Sequence, residues 1–169
     1  MTSPQACVVS DTSPLSAMAK MGWLPWLREC WGTVIVPTGV WRELSDIGDD
    51  AAWSALENAR AEGWLQVTGI PQLPAPPECE KLHPGEIEAI LLALANKADW
   101  LLVDDGDARR AARLLALNII GVLGMVVWAR RHGKIHRALD AIADLRRVTR
   151  FRVSDEVVAA IARDLEEKH

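Results

Sequence analysis

Five acidic side chains of this chain stand where apolar segments end or helices begin, and a sixth is carried on another helix. Asp11 follows the apolar run "CVVS", Asp104 and Asp105 follow "WLLV", Glu86 and Glu88 open "GEIEAILLALA", and Glu43 lies in "TGVWREL". Asp107 makes "LLVDDGD" a cluster of three acids, although adjacent carboxylates repel. Helix capping accounts for one of these three, most simply Asp107 ahead of "ARRAARLL". Several carboxylates gathered at one place stay ionised together only with positive charge among them, and a hard divalent cation, Mg²⁺ or Mn²⁺, is the usual source. Oxygen donors with no His or Cys at ligand spacing favour these ions over zinc. Such a site suits phosphoryl chemistry, in which a metal activates water, neutralises non-bridging oxygens and stabilises the leaving oxygen.

The elements that must position these acids are legible in the apolar pattern. "ACVVS", "TVIVP", "WLQVTGI", "DWLLV" and "NIIGVL" read as short buried strands. Helices are expected between them: one starting at Ser13-Pro14, with Ser13 as its cap, then "LPWLREC", "TGVWRELS" from about Thr38, "DDAAWSALENARA", "PGEIEAILLALA", "ARRAARLL" and "GMVVWARRHGK". The segment from Ile135 reads as two further helices, with Ser154 capping the second; Val157, three residues on, denies it a full capping box. Strands alternating with helices imply a parallel sheet covered on both faces, an α/β sandwich, and in such sheets ligands bind beyond the carboxyl ends of the strands. All the acids named above fall at or near that edge.

Half of the 169 residues are apolar, no apolar run is long enough for a membrane span, and the N-terminus lacks a secretory pattern, so a single cytoplasmic domain spanning 1–169 is expected. Its core is placed at about 7–135 and a helical extension at about 136–169. Three widely spaced cysteines, Cys7, Cys30 and Cys79, suggest neither a disulfide framework nor a zinc site. Eight tryptophans accompany one phenylalanine and no tyrosine; Trp23, Trp26 and Trp31 have the spacing of core or interface residues rather than of a base-stacking platform. The net charge of −4 conceals a regional contrast: positions 106–152 hold eleven Lys or Arg against three acids. A basic half and an acidic pocket have complementary uses, one holding a polyanion and the other metal and water.

Taken in order, "VVSDTSP", "VPTGVWREL", "GEIEAILLALA", "LLVDDGDARRAA" and "IIGVLGMVVWARRHGKI" resemble the PIN domain, and within it the branch of short stand-alone prokaryotic proteins related to VapC-type toxins. The likeness runs from about Val8 to Ile135, and "FRVSDEVVAAIARD" is similar to the end of that branch. It implies a three-layer α/β/α sandwich with a five-stranded parallel sheet and extra C-terminal helices, and a Mg²⁺- or Mn²⁺-dependent endoribonuclease. Carried over residue by residue, it implies Asp11, Glu43, Glu88 and Asp105 as the catalytic acids, with Glu86, Asp104 and Asp107 as further metal-binding candidates and Ser13 positioning water. Arg109, Arg110, Arg113 and Arg130 are then the candidates to approach an RNA backbone. The resemblance also implies a toxin of a toxin–antitoxin pair, with a small antitoxin partner and a homodimer. The competing expectation is a PIN-like binding or regulatory protein in which the acids hold no metal productively. An aspartate-nucleophile phosphatase would place a second aspartate where this chain has Ser13, and a phosphate-receiving regulator would add an acid pair and a late-strand lysine; neither pattern is present.

Overall fold

β-branched and leucine-rich runs form the five strands: Val8–Ser10 (β1), Val34–Pro37 (β2), Leu65–Thr68 (β3), Trp100–Leu102 (β4) and Ile119–Ile120 (β5). A computed structural model describes residues 5–167. All strands pair in parallel, in the order β3-β2-β1-β4-β5. The register sets Val9 opposite both Ile35 and Leu101. From β1 the chain builds outward to β2 and β3, then returns to add β4 and β5 on the other side of β1. The order therefore reverses between β1 and β4, which opens a crevice at their carboxyl ends.

Nine helices are seen among the described residues: Thr12–Lys20 (α1), Leu24–Trp31 (α2), Thr38–Leu44 (α3), Asp50–Ala61 (α4), Pro84–Ala95 (α5), Gly106–Leu114 (α6), Val122–Arg131 (α7), Ala138–Thr149 (α8) and Asp155–Asp164 (α9). The period of two along each strand divides the apolar side chains between two cores. Val8, Val34, Val36 and Leu102 pack with Leu15, Met18, Leu56 and Met125 on one face. Val9, Leu101 and Val103 pack with Ile90, Leu92 and Ala112 on the other. Helices thus cover both faces, as the alternating pattern requires.

Helix α8 joins the larger core through Ala138, Ile142 and Leu145. Helix α9 buries little besides Ala162, and polar ties hold its end. Glu167 Oε1 accepts from the Ala138 amide at 2.8 Å and from Arg130 Nε at 3.1 Å, and Oε2 accepts from the Leu139 amide at 3.1 Å. An acid at the start of α8 is favourably placed for the helix dipole, and these donors hold its pKa below the usual carboxylate range despite the opposing effect of burial.

Several boundaries differ from the sequence expectation. Helix α1 starts at Thr12, so Asp11, not Ser13, occupies its N-cap position, and the Asp11 side chain makes no capping bond. Helix α7 begins at Val122, ahead of Gly124. Helix α6 is capped by Asp105, whose Oδ1 accepts from the amides of Asp107 and Ala108, so Asp107 lies in the first turn instead of capping it. Ser154 caps α9 as expected, accepting from the Val157 amide at 3.3 Å. Trp23 and Trp26 stack at 4.6 Å and are buried with Trp31 in the larger core, which accounts for them by packing. Cys7, Cys30 and Cys79 are free thiols. Among the described residues no helix is long and apolar enough to cross a membrane.

Candidate active site

At the carboxyl ends of β1 and β4 lies a cleft of about 810 Å³ lined by Asp11, Glu43, Glu86 and Asp105, with Ser13 and Asp104 also on its lining. Each acid arrives by a different route. Asp11 follows β1 directly and is only 3 % exposed. Burial pushes its pKa up to about 7; the Thr12 amide opposes the shift, and the charges of Glu86, Glu43 and Asp105 add to it. Glu43 comes from α3, where its Oε2 accepts from Thr12 Oγ1 at 2.7 Å. Gly85 leaves room for it where it stands: a β-carbon there would lie 2.5 Å from Glu43 Oε1, so a larger residue would displace the Glu43 carboxylate.

Glu86 stands in the first turn of α5, and its Oε2 accepts from the His83 amide at 3.0 Å. Burial raises its pKa; the His83 amide opposes this and the charge of Asp105 adds to it. Asp105 spends Oδ1 on the cap of α6 and also lines the cleft. Among the described residues, none of these four carboxylates has an ion-pair partner.

Asp104 plays a different part. Its Oδ1 accepts from the Val122 amide at 3.0 Å, tying β4 to the start of α7. Its Oδ2 is buried without a hydrogen-bond partner among the described residues. Burial pushes its pKa up to about 6 against the lowering effects of the Val122 amide and of Arg109.

Two expected members lie elsewhere. Positions 86 and 88 differ by about 200° around a helix, so both cannot face one cleft. Glu88 turns to α3, where its Oε2 accepts from the Gly39 amide at 2.8 Å, and a β-carbon at Gly39 would collide with it. It supports the helix that carries Glu43. Asp107 is exposed and pairs with Arg110 at 3.2 Å.

The arginines expected at an RNA backbone are also placed otherwise. Arg109 Nη1 donates to the Val103 carbonyl at 2.9 Å, beside Asp104, while Arg110 pairs with Asp107 and Arg130 with Glu167. None of these, nor Arg113, lines the acidic cleft. The cations that do are Lys20, at the end of α1, and Arg150 and Arg152, in the connection between α8 and α9. The break between helices at "TRFRVS" is the one sequence signal that could have singled out the two arginines.

An α/β sheet that reverses its order at a crevice filled with carboxylates defines the class to which this chain conforms. Residues 7–167 match the family model DUF3368, described as a PIN domain, and the chain belongs to that family. PIN domains are typically nucleases and typically bind divalent metals. The match takes in α8 and α9 as well as the sheet. Among solved structures, the chain is similar to a PilT N-terminus domain protein from the hyperthermophilic archaeon Sulfolobus solfataricus P2. That match has a TM-score of 0.51 at 20 % identity, covering 70 % of this chain and 88 % of the other. It shows the shared fold. No curated protein matches the sequence.

The donor set fits a hard divalent ion. All four groups offer oxygen, none makes an ion pair among the described residues, and burial, with the neighbouring acidic charges, raises the Asp11 pKa to about 7. Among the described residues no three acidic, His or Cys side chains converge on one point; Mg²⁺ is commonly held by one or two carboxylates with water completing its shell.

Proposed function

We propose that the protein is a Mg²⁺- or Mn²⁺-dependent endoribonuclease, with Asp11, Glu43, Glu86 and Asp105 as the acids of its centre. The observation that carries this reading is the presence of four carboxylates without ion-pair partners in one cleft at the sheet's reversal point. When bound, the divalent ion supplies polarisation of the attacking water and neutralisation of the phosphate. The chain's own contribution is orientation. The Thr12 hydroxyl fixes Glu43, the His83 amide fixes Glu86, and the cap of α6 fixes Asp105. Ser13, on the same lining, holds the water. Water oxygen bonds to phosphorus, the phosphorus–oxygen ester bond breaks, and the leaving oxygen gains a proton.

Incubation of single-stranded RNA with the protein and Mn²⁺ tests this: cleavage is expected, and its loss in Asp11→Asn. Undiminished cleavage by Asp11→Asn contradicts the assignment. The finer part of the same proposal is that this ribonuclease is a toxin restrained by a small antitoxin. Expression alone should then arrest growth, and Asp11→Asn should not. A second reading is a PIN-domain binding protein without catalysis. It predicts no saturable Mn²⁺ binding.

A further inference from the structure

Of the eleven Lys and Arg in positions 106–152, seven make ion pairs and Arg109 donates to the Val103 carbonyl beside Asp104. The three left without a partner among the described residues are Arg113, Arg150 and Arg152, and the last two line the acidic cleft. They share that cleft with five carboxylates, Asp104 among them, yet neither pairs with any of them. Arginine with its fork of donors is suited to phosphate, and unpaired arginines beside an acidic centre leave room for a phosphate to come between.

The connection that carries them is not a loose loop. Arg146 Nη2 donates to the Val153 carbonyl at 2.6 Å and to Asp155 Oδ1 at 3.3 Å, bridging its two ends. Phe151 packs against the larger core, and Glu167 holds α9 to the start of α8. Arg150 takes a left-handed backbone conformation, φ +57°, at the end of α8. Outside glycine, asparagine and aspartate this conformation is uncommon, and it turns the chain so that Thr149 to Arg152 face the cleft.

Resting on the nuclease reading above, we propose that Arg150 and Arg152, with Lys20 beside them, grip the backbone phosphates of single-stranded RNA on either side of the bond to be cleaved. A cleft of about 810 Å³ has room for a short run of single strand. The acids act on one phosphate and the arginines hold its neighbours, so the two charge types serve different phosphates of one strand.

The test uses Arg150→Asn/Arg152→Gln, because asparagine tolerates the left-handed conformation. Binding of a fluorescent single-stranded RNA is followed by anisotropy without metal over a range of salt, and cleavage is followed in Mn²⁺. Because two phosphates then go unneutralised, the slope of log K against log salt should become shallower by about 1.4. KM should rise about tenfold or more, with kcat and Mn²⁺ affinity kept. Arg150→Lys/Arg152→Lys should recover most of the salt slope, and Arg147→Ala, whose arginine pairs with Asp144, should change nothing. An unchanged slope and KM in a double variant that still binds Mn²⁺ overturns the proposed grip alone. A wild-type protein that neither binds Mn²⁺ nor cleaves RNA overturns the nuclease reading on which it rests.

Discussion

The acidic side of the cleft is built on strand ends, one helix start and the last turn of α3, whereas its basic side is carried on residues 150–152 of a connection outside the sheet and on Lys20. The acids are fixed by the fold itself: Asp11 cannot move without β1, and Asp105 cannot move without the cap of α6. The cost of this fixity is visible in the pKa of Asp11, pushed up to about 7. The basic side costs little, because its arginines are exposed, and it is held by a handful of hydrogen bonds. In the proposed nuclease, the chemical centre would then be anchored at the sheet while the substrate grip hangs from a tied but peripheral segment.

That contrast makes graded predictions. The largest effect belongs to Asp11→Asn. Partners lying behind metal ligands are typically worth 10- to 100-fold, so loss of a ligand itself should lower metal-dependent cleavage by at least about 100-fold. Next comes the pair on α5. Glu86→Gln should lose about 10- to 100-fold in cleavage and in Mn²⁺ affinity. Glu88→Ala should keep Mn²⁺ affinity within a few-fold and lose about 1–2 kcal/mol of stability, because the Gly39 amide loses its acceptor. The reverse ranking in paired titrations and melts would move the centre to Glu88.

A third prediction concerns pH. A carboxylate whose folded pKa is raised binds its proton more tightly in the native state, so its contribution to stability is present below about pH 4 and is lost as pH rises through about 7. In chelator, Asp11→Asn should melt near the wild type at pH 4 and be more stable at pH 8, by roughly 1–3 kcal/mol. Equal melting of the two proteins at pH 8 would show that Asp11 is not held against its own charge. The smallest effect tests the tie of the basic segment. Arg146→Ala should raise KM several-fold at constant kcat, with about 1 kcal/mol lost in a thermal melt. A fall in kcat instead would mean that the segment takes part in the chemistry.

The fold was legible because its signals are local and repeated. Five short β-branched or leucine-rich runs alternate with helical patterns, and alternation alone selects a parallel sheet with helices on both faces. The acids were legible as a set, since strand ends and helix starts meet at one edge of such a sheet. Individual roles were less so. Glu86 and Glu88 both suit a helix opening, and only the rotational phase of α5 against α3 decides between them. Asp105 and Asp107 can each cap a helix, and only the true start of α6 gives the cap to Asp105. The basic lining was hidden for another reason. Arginines abound in positions 106–152, and which of them keep a free charge depends on distant acids such as Glu167 and Asp155, brought near by packing.

The central claim is that the cleft is a metal site built around Asp11. Calorimetric titration of Mn²⁺ into the metal-free protein at pH 7, in two buffers of different ionisation enthalpy, tests it most directly. Because burial raises the Asp11 pKa to about 7, binding should show one saturable phase with net proton release, weakening as pH falls and vanishing in Asp11→Asn. Absence of saturable binding by the wild type, or equal binding by Asp11→Asn, would contradict the account.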